Sequence, residues 1–301
     1  MDDRAGLIER AAARLRESVS PAAARDALPP LEAPVSPTTR PLKALPLKRH
    51  VVLDRAHLAQ TGIIMPWTSS GRIVEEFRII KRNIMSAWQA SDSGDSATDR
   101  PRIIMVTSAR PREGKTFSSI NLALAFAAED SFVTILVDGD TVRGDVAKDL
   151  KIPSEPGLTN ILSGETSLLD ALIQTDLPNL VVLPPGPSGH HVPELLSSQA
   201  PSALFDEIGK RYPKHVIILD TPPCLASTDP AALAPIVSQI VFVIEAGHTQ
   251  RPEIESALSL ITGGPQVSIV LNLSSGGTSE HFGSYSYYFQ APKQQPTAQG
   301  D

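Results

Sequence analysis

The chain has 301 residues, 41% of them apolar and 20% charged, enough to bury a sizeable core and too apolar for disorder throughout. Its formal charge of −6, from 27 basic and 33 acidic residues, argues against nucleic acid as a partner, and 5% aromatic content argues against a stacking platform for single strands. A lone cysteine, Cys224, excludes an intramolecular disulfide and, with no secretory apolar region near the N-terminus, points to the cytoplasm; no run of 18 or more apolar residues predicts a membrane span.

Residues 5–17 place Leu7, Ile8, Ala11, Ala12 and Leu15 at helical spacing, with Arg4, Arg10, Arg14 and Arg16 around much of the remainder. Residues 1–17 therefore read as a short amphipathic helix that docks on a partner or an anionic membrane surface. The plainer alternative is a marginal helix, because isolated helices this short are unstable in water. Residues 18–50 are Ala/Pro-rich without periodicity and read as a disordered linker. Folded material is expected over residues 51–275. A helix within it at 71–89 carries Ile73, Val74, Phe77, Ile80, Ile84 and Trp88 on one face and is ended by the polar tract 91–99.

Short apolar runs follow at 102–107, 132–138, 179–183, 215–220, 239–245 and 267–272, with helix-like segments at 114–128, 192–211, 228–237 and 251–262. The runs are continuously apolar, as strands buried on both faces are. The alternation predicts an α/β fold with a doubly wound, mostly parallel sheet. Residues 276–301 read as a flexible tail, and no internal repeat is present.

The strongest chemical signal is a strand–loop–helix at 103–128, IIMVTSARPREGKTFSSINLALAFAA. A phosphate-binding loop needs backbone N–H groups curled round oxygens, a lysine for the β/γ-phosphates, a hydroxyl for Mg²⁺ and a helix N-terminus facing the anion. Gly114, Lys115 and Thr116 supply that triplet, although Ala109 stands at the first position, where the pattern has glycine. The next run ends in Asp138 and Asp140 at a strand's carboxyl edge, where open α/β sheets bind ligands. One is suited to a Mg²⁺-bound water and the other to a hydroxyl proton; the plainer alternative is a pair of loop-capping aspartates. Asp220 ends HVIILD, four apolar residues and an acid, which is the Walker B pattern.

Together these segments resemble the bacterial tyrosine kinases of polysaccharide assembly, P-loop proteins related to septum-site and chromosome-partitioning ATPases. SARPREGKT resembles their Walker A, LVDGDTVR their Walker A′ and IILDTPP their Walker B, so the fold implied is a P-loop NTPase with deviant motifs. EEFRIIKRNI is similar to the family's E-x-x-R-x-x-R oligomerisation helix, with Glu75 and Arg78 matching and Lys81 replacing the second arginine. LIERAAARL, the proline linker and LDRAHLAQTGIIMP resemble the subgroup associated with exosortase and exopolysaccharide gene clusters.

The resemblance implies ATP and Mg²⁺ as cofactors. Ala109, Arg110, Pro111, Arg112, Glu113, Gly114, Lys115, Thr116 and Phe117 would form the nucleotide loop. Thr116, Asp138 and Asp220 would hold the metal, Asp140 would accept the tyrosine proton, and Asn272 would contact adenine or simply cap its strand. Tyr285, Tyr287 and Tyr288 would be phosphoacceptors presented to a neighbouring subunit of a ring-like homo-oligomer. A separate membrane polysaccharide co-polymerase would hold the chain at the inner membrane's cytoplasmic face. A nucleotide-dependent assembly switch without tyrosine phosphorylation is the alternative. Two departures stand out. Arg112 occupies a glycine position, straining the loop if its φ is positive or adding a cation beside phosphate if it is negative. Gly144 occupies a position where relatives often have proline, which implies a looser Walker A′ loop. His190-His191 lacks partners at zinc-site spacing, Cys224 reads as a small loop residue, and Trp88 as a core anchor.

Overall fold

The computed structural model describes residues 47–65, 71–91, 102–129, 131–212, 214–261 and 264–274. The expected N-terminal helix, most of the linker and the tyrosine-bearing tail lie outside them. The apolar runs form β2 (Ile103–Ser108), β3 (Val133–Asp138), β5 (Leu180–Leu183), β6 (His215–Asp220), β7 (Gln239–Glu245) and β8 (Gln266–Asn272). Two three-residue strands, β1 (Arg49–Val51) and β4 (Ile173–Thr175), complete an eight-stranded sheet of order β1-β4-β5-β3-β6-β2-β7-β8. Every neighbouring pair is parallel except β4 and β5, so β1 and β4 run against the other six.

β1 moves the domain boundary. Leu47 is buried, and Arg49 donates to the carbonyls of Pro156 and Ala171 at 2.8 and 2.9 Å, so residues 47–50 belong to the fold rather than to the linker. No periodicity marks a strand this short. The same holds for the helices α1 (Arg55–Gln60), α4 (Asp145–Asp149), α5 (Leu158–Leu162) and α6 (Leu168–Ala171). The helix at 71–89 is α2 (Arg72–Ser91), and the one after the phosphate loop is α3 (Lys115–Ala127). The segment read as one helix at 192–211 is two, α7 (Val192–Leu196) and α8 (Ala200–Arg211), because Pro201 has no N–H to continue a helix and suits a new first turn. Pro235 likewise turns the end of 228–237 into a 3₁₀ turn, Ala234–Ile236, after α9 (Asp229–Leu233). α10 (Arg251–Leu260) crosses from β7 to β8.

The sheet is covered on both sides. One face packs Leu204, Phe205 and Ile208 of α8, Leu233 of α9 and Ala257 of α10. The other packs α2 and α3, with Trp88 against Phe126 at 5.7 Å and Phe77 edge-on to Phe117 at 6.1 Å. Trp88 is thus the expected anchor. Ile73 departs from its expected face: it is 40% exposed and lines a groove of about 290 Å³ that separates the first turn of α2 from α3. The parallel strands all end at one edge, and β2, β3 and β6 are adjacent there, in the order β3-β6-β2.

Candidate active site

Beyond Ser108 the chain makes the phosphate loop and enters α3 at Lys115. Gly114 caps the helix at φ +86°, and a Cβ there would lie 2.0 Å from Asn272 Nδ2, so both conformation and space demand glycine. Arg112 has φ +70°, which settles the question raised by its position: it is strained, in the left-handed region that costs a side-chain-bearing residue about 1–2 kcal/mol. Its neighbours are tethered on both sides. Glu113 Oε2 accepts from Arg110 N at 2.7 Å, Glu113 Oε1 accepts from the Thr249 hydroxyl, and the Glu113 carbonyl accepts from Asn272 Nδ2 at 2.9 Å. The Arg110 guanidinium lies 3.6 Å from Glu253. The side chains of Glu113 and Arg110 therefore hold the loop to the turn before α10 and to its first turn, and the Asn272 amide braces the loop's backbone.

Lys115 Nζ lies 3.0 Å from Asp140 Oδ2, and both side chains are buried. Thr116 Oγ1 donates to Asp220 Oδ2 at 2.8 Å and Ser119 Oγ to Asp220 Oδ1 at 2.9 Å. Asp138 and Asp220 are register partners on β3 and β6. Asp138 Oδ2 accepts from Ala147 N at 3.2 Å, while Oδ1 is buried with no partner among the described residues. Burial, and then the charge of Asp220, push the Asp138 carboxyl well above the usual range. Burial also raises Asp220, to about 6, against the opposing pull of Lys115, Thr116 and Ser119.

The Walker A′ loop is tighter than its sequence implies. Gly144 N donates to the Asp140 carbonyl at 2.7 Å, and Gly144 sits at φ +59°, which proline cannot adopt. Arg143 N donates to Asp140 Oδ1 at 3.2 Å, fixing that carboxylate opposite Lys115.

Among the described residues no three His, Cys, Asp or Glu side chains converge as a closed metal cage. The residues present nonetheless fit Mg²⁺, which keeps several waters and takes one or two carboxylates plus phosphate oxygens. An unpartnered buried carboxylate oxygen on Asp138, the Asp220 carboxylate and the Thr116 hydroxyl are all hard oxygen donors.

An open cleft of about 810 Å³ lies above this floor, lined by Pro111, Arg112, Gly114, Lys115, Thr116, Phe117 and Asp140 among others. Ala109 is fully buried beneath the loop. Sequence reasoning missed Ser119, although it lies one helical turn from Thr116, and Asp229, a buried carboxylate on the cleft wall at the start of α9. It also missed the apolar mouth, where Val142, Leu225 and Leu260 are exposed. Cys224 lines the same wall as a buried free thiol, 3.5 Å from Thr107 Oγ1. Of the residues expected to mediate oligomerisation, Arg78 pairs with Glu75 on the surface of α2. Lys81 is occupied within the chain, by Glu129 and by the Ala125 carbonyl at 3.1 Å.

No protein-family model matches the chain. Among known proteins, the tyrosine-protein kinase CpsD of Streptococcus agalactiae is 32% identical over 217 residues, covering 71% of this chain and 89% of CpsD. The chain belongs to the bacterial tyrosine kinase family. Another relative, the tyrosine-protein kinase YwqD of Bacillus subtilis, is 30% identical over 204 residues, 68% of this chain and 81% of YwqD. Among solved structures the kinase domain of VpsO superposes with a TM-score of 0.53 at 34% identity, covering 65% of this chain and 97% of that domain. In this bacterial tyrosine kinase the phosphate loop, the Asp138–Asp140 loop and Asp220 meet at one sheet edge. No helix among the described residues is long and apolar enough to cross a membrane.

Proposed function

We propose that the chain is an ATP-dependent tyrosine autokinase that phosphorylates Tyr285, Tyr287 and Tyr288 of a neighbouring copy. The observation that carries this reading is the juxtaposition of Lys115 and Asp140 at 3.0 Å in a cleft with an apolar mouth. A lysine that can hold a β/γ-phosphate stands beside a carboxylate able to take a proton, below side chains suited to a phenol ring. Glycine-loop N–H groups and the start of α3 would receive the phosphates, with Lys115 on the β/γ oxygens. Mg²⁺, when bound near Thr116, Asp138 and Asp220, supplies charge neutralisation on the β and γ oxygens. Arg143 N orients Asp140, whose Oδ2 would take the phenolic proton as the tyrosine oxygen–phosphorus bond forms and the bond to ADP breaks. Asp229 extends the acidic wall on the acceptor side.

The exposed Glu75–Arg78 pair would bridge subunits, with Lys81 stabilising α2 from inside its own chain. A membrane polysaccharide co-polymerase would recruit this cytoplasmic kinase to the inner membrane, where its phosphorylation state would regulate exopolysaccharide synthesis and export. Phosphopeptide mapping after incubation with Mg²⁺-ATP, with and without the cytoplasmic segment of such a partner, tests the chemistry. Phosphate on Tyr285, Tyr287 or Tyr288 that disappears in Lys115→Met is expected. An unmodified tail despite ATP hydrolysis would replace this reading with a nucleotide-dependent assembly switch.

A further inference from the structure

β8 ends the sheet. It pairs with β7 from Gln266 to Asn272, and among the described residues no strand pairs its outer edge. Val267 packs against the face covered by α8, α9 and α10. Ile269 and Leu271 fall on that same side by the two-residue period of a strand, yet they are 55% and 67% exposed, and Leu273 is 57% exposed. No charged residue or proline interrupts Gln266–Leu273. An open, aliphatic, uncharged edge is what folded proteins ordinarily cover, because its free N–H and C=O groups recruit further strands.

We propose that the C-terminal segment Tyr285–Phe289 of the same chain covers it, adding antiparallel to the outer edge of β8. Leu273 has φ +55°, so the chain turns as soon as the strand ends, and Gly276-Gly277 follows. Ten residues separate Ser274 from Tyr285, a reach of roughly 33 Å when extended against about 23 Å for the whole of β8. The segment therefore reaches any register along the strand. Its sequence has a strand's period: Tyr285, Tyr287 and Phe289 alternate with Ser284, Ser286 and Tyr288, and Pro292 stops the run. In an antiparallel pair the first three meet Ile269 and Leu271 across the strands. Seated there, the tyrosines are withheld from a neighbour's cleft. A phosphate of about −1.5 to −2 charge on Tyr287 is incompatible with contact against Leu271, so phosphorylation releases the segment. Only that consequence rests on the autokinase reading; the contact itself does not.

Amide hydrogen exchange over residues 267–273 tests it, in the full chain carrying Lys115→Met so that phosphorylation is off in every sample. Replacing Tyr285, Tyr287 and Phe289 together by serine is expected to speed exchange of the β8 amides not bonded to β7 about tenfold. Leu271→Ser, at a largely exposed position that the core does not need, is expected to do the same from the other side. Equal rates in the three proteins overturn the proposal. Protection that fades on dilution also overturns it, because the occupant is then a second copy. Neither outcome bears on whether the active chain phosphorylates tyrosine.

Discussion

At the scale of single residues, Arg112 shows strain placed beside a ligand site. Its left-handed backbone is held by Glu113 and Asn272, which tie the loop to the turn before α10 and to β8. Its side chain is exposed on the cleft wall, so the residue combines a conformational cost with a cation lining the cleft. Arg112→Gly should relieve the strain, partly offset by glycine's greater loss of freedom on folding, for a net gain of up to about 1 kcal/mol in unfolding free energy, read as a higher urea midpoint. Nucleotide affinity, read by equilibrium titration with a non-hydrolysable ATP analogue, should fall several-fold as the cation is lost. A lower midpoint would mean that the tethers already absorb the strain. Lys115 and Thr116 open α3 straight after the loop because strand–loop–helix geometry is local, whereas their meeting with Asp138 and Asp220 at one edge depends on the strand order β3-β6-β2. Glu113 acting through its side chain on Thr249 was not legible, since its partner lies 136 residues away.

At the scale of elements, α2 packs Val74, Phe77, Ile84 and Trp88 inward while its opposite face carries the Glu75–Arg78 and Arg72–Glu76 pairs. Exposed pairs of this kind add little to stability, roughly 0.3–0.5 kcal/mol each, so charge reversal on that face tests assembly rather than folding. Arg78→Glu should leave an oligomer monomeric by light scattering with little change in thermal midpoint. An unchanged mass would remove α2 from the interface. Periodicity located α2, α3 and all six long strands, since each spans enough residues for its pattern to stand out. It merged α7 with α8, because the apolar spacing continues across a break that Pro201 imposes on the backbone.

At the scale of the molecule, strand order decides the electrostatics. β3 lies beside β6, and this adjacency sets Asp138 against Asp220 in the core, both fully buried. Their carboxyls are raised, Asp220 to about 6, so the folded chain keeps protons that the unfolded chain releases near pH 4. The stability this confers is complete below about pH 4, and the share from Asp220 is lost as pH rises through about 6. Urea midpoints of the metal-free chain should accordingly fall over that interval. Asp138→Asn should flatten the fall, because one of the two buried carboxyls no longer titrates. A pH slope identical in the two proteins would show that the pair does not set it.

The sequence by itself determined the alternation of buried strands and helices, the phosphate loop and the carboxylates at strand ends. Each depends on residues within about ten positions of one another, where backbone geometry transmits pattern directly. Only the tertiary structure decided that β1 and β4 extend the sheet, that Lys115 meets Asp140, and that β8 leaves Ile269 and Leu271 uncovered. Those outcomes depend on which elements become neighbours, and neighbours are chosen by the packing of the whole sheet.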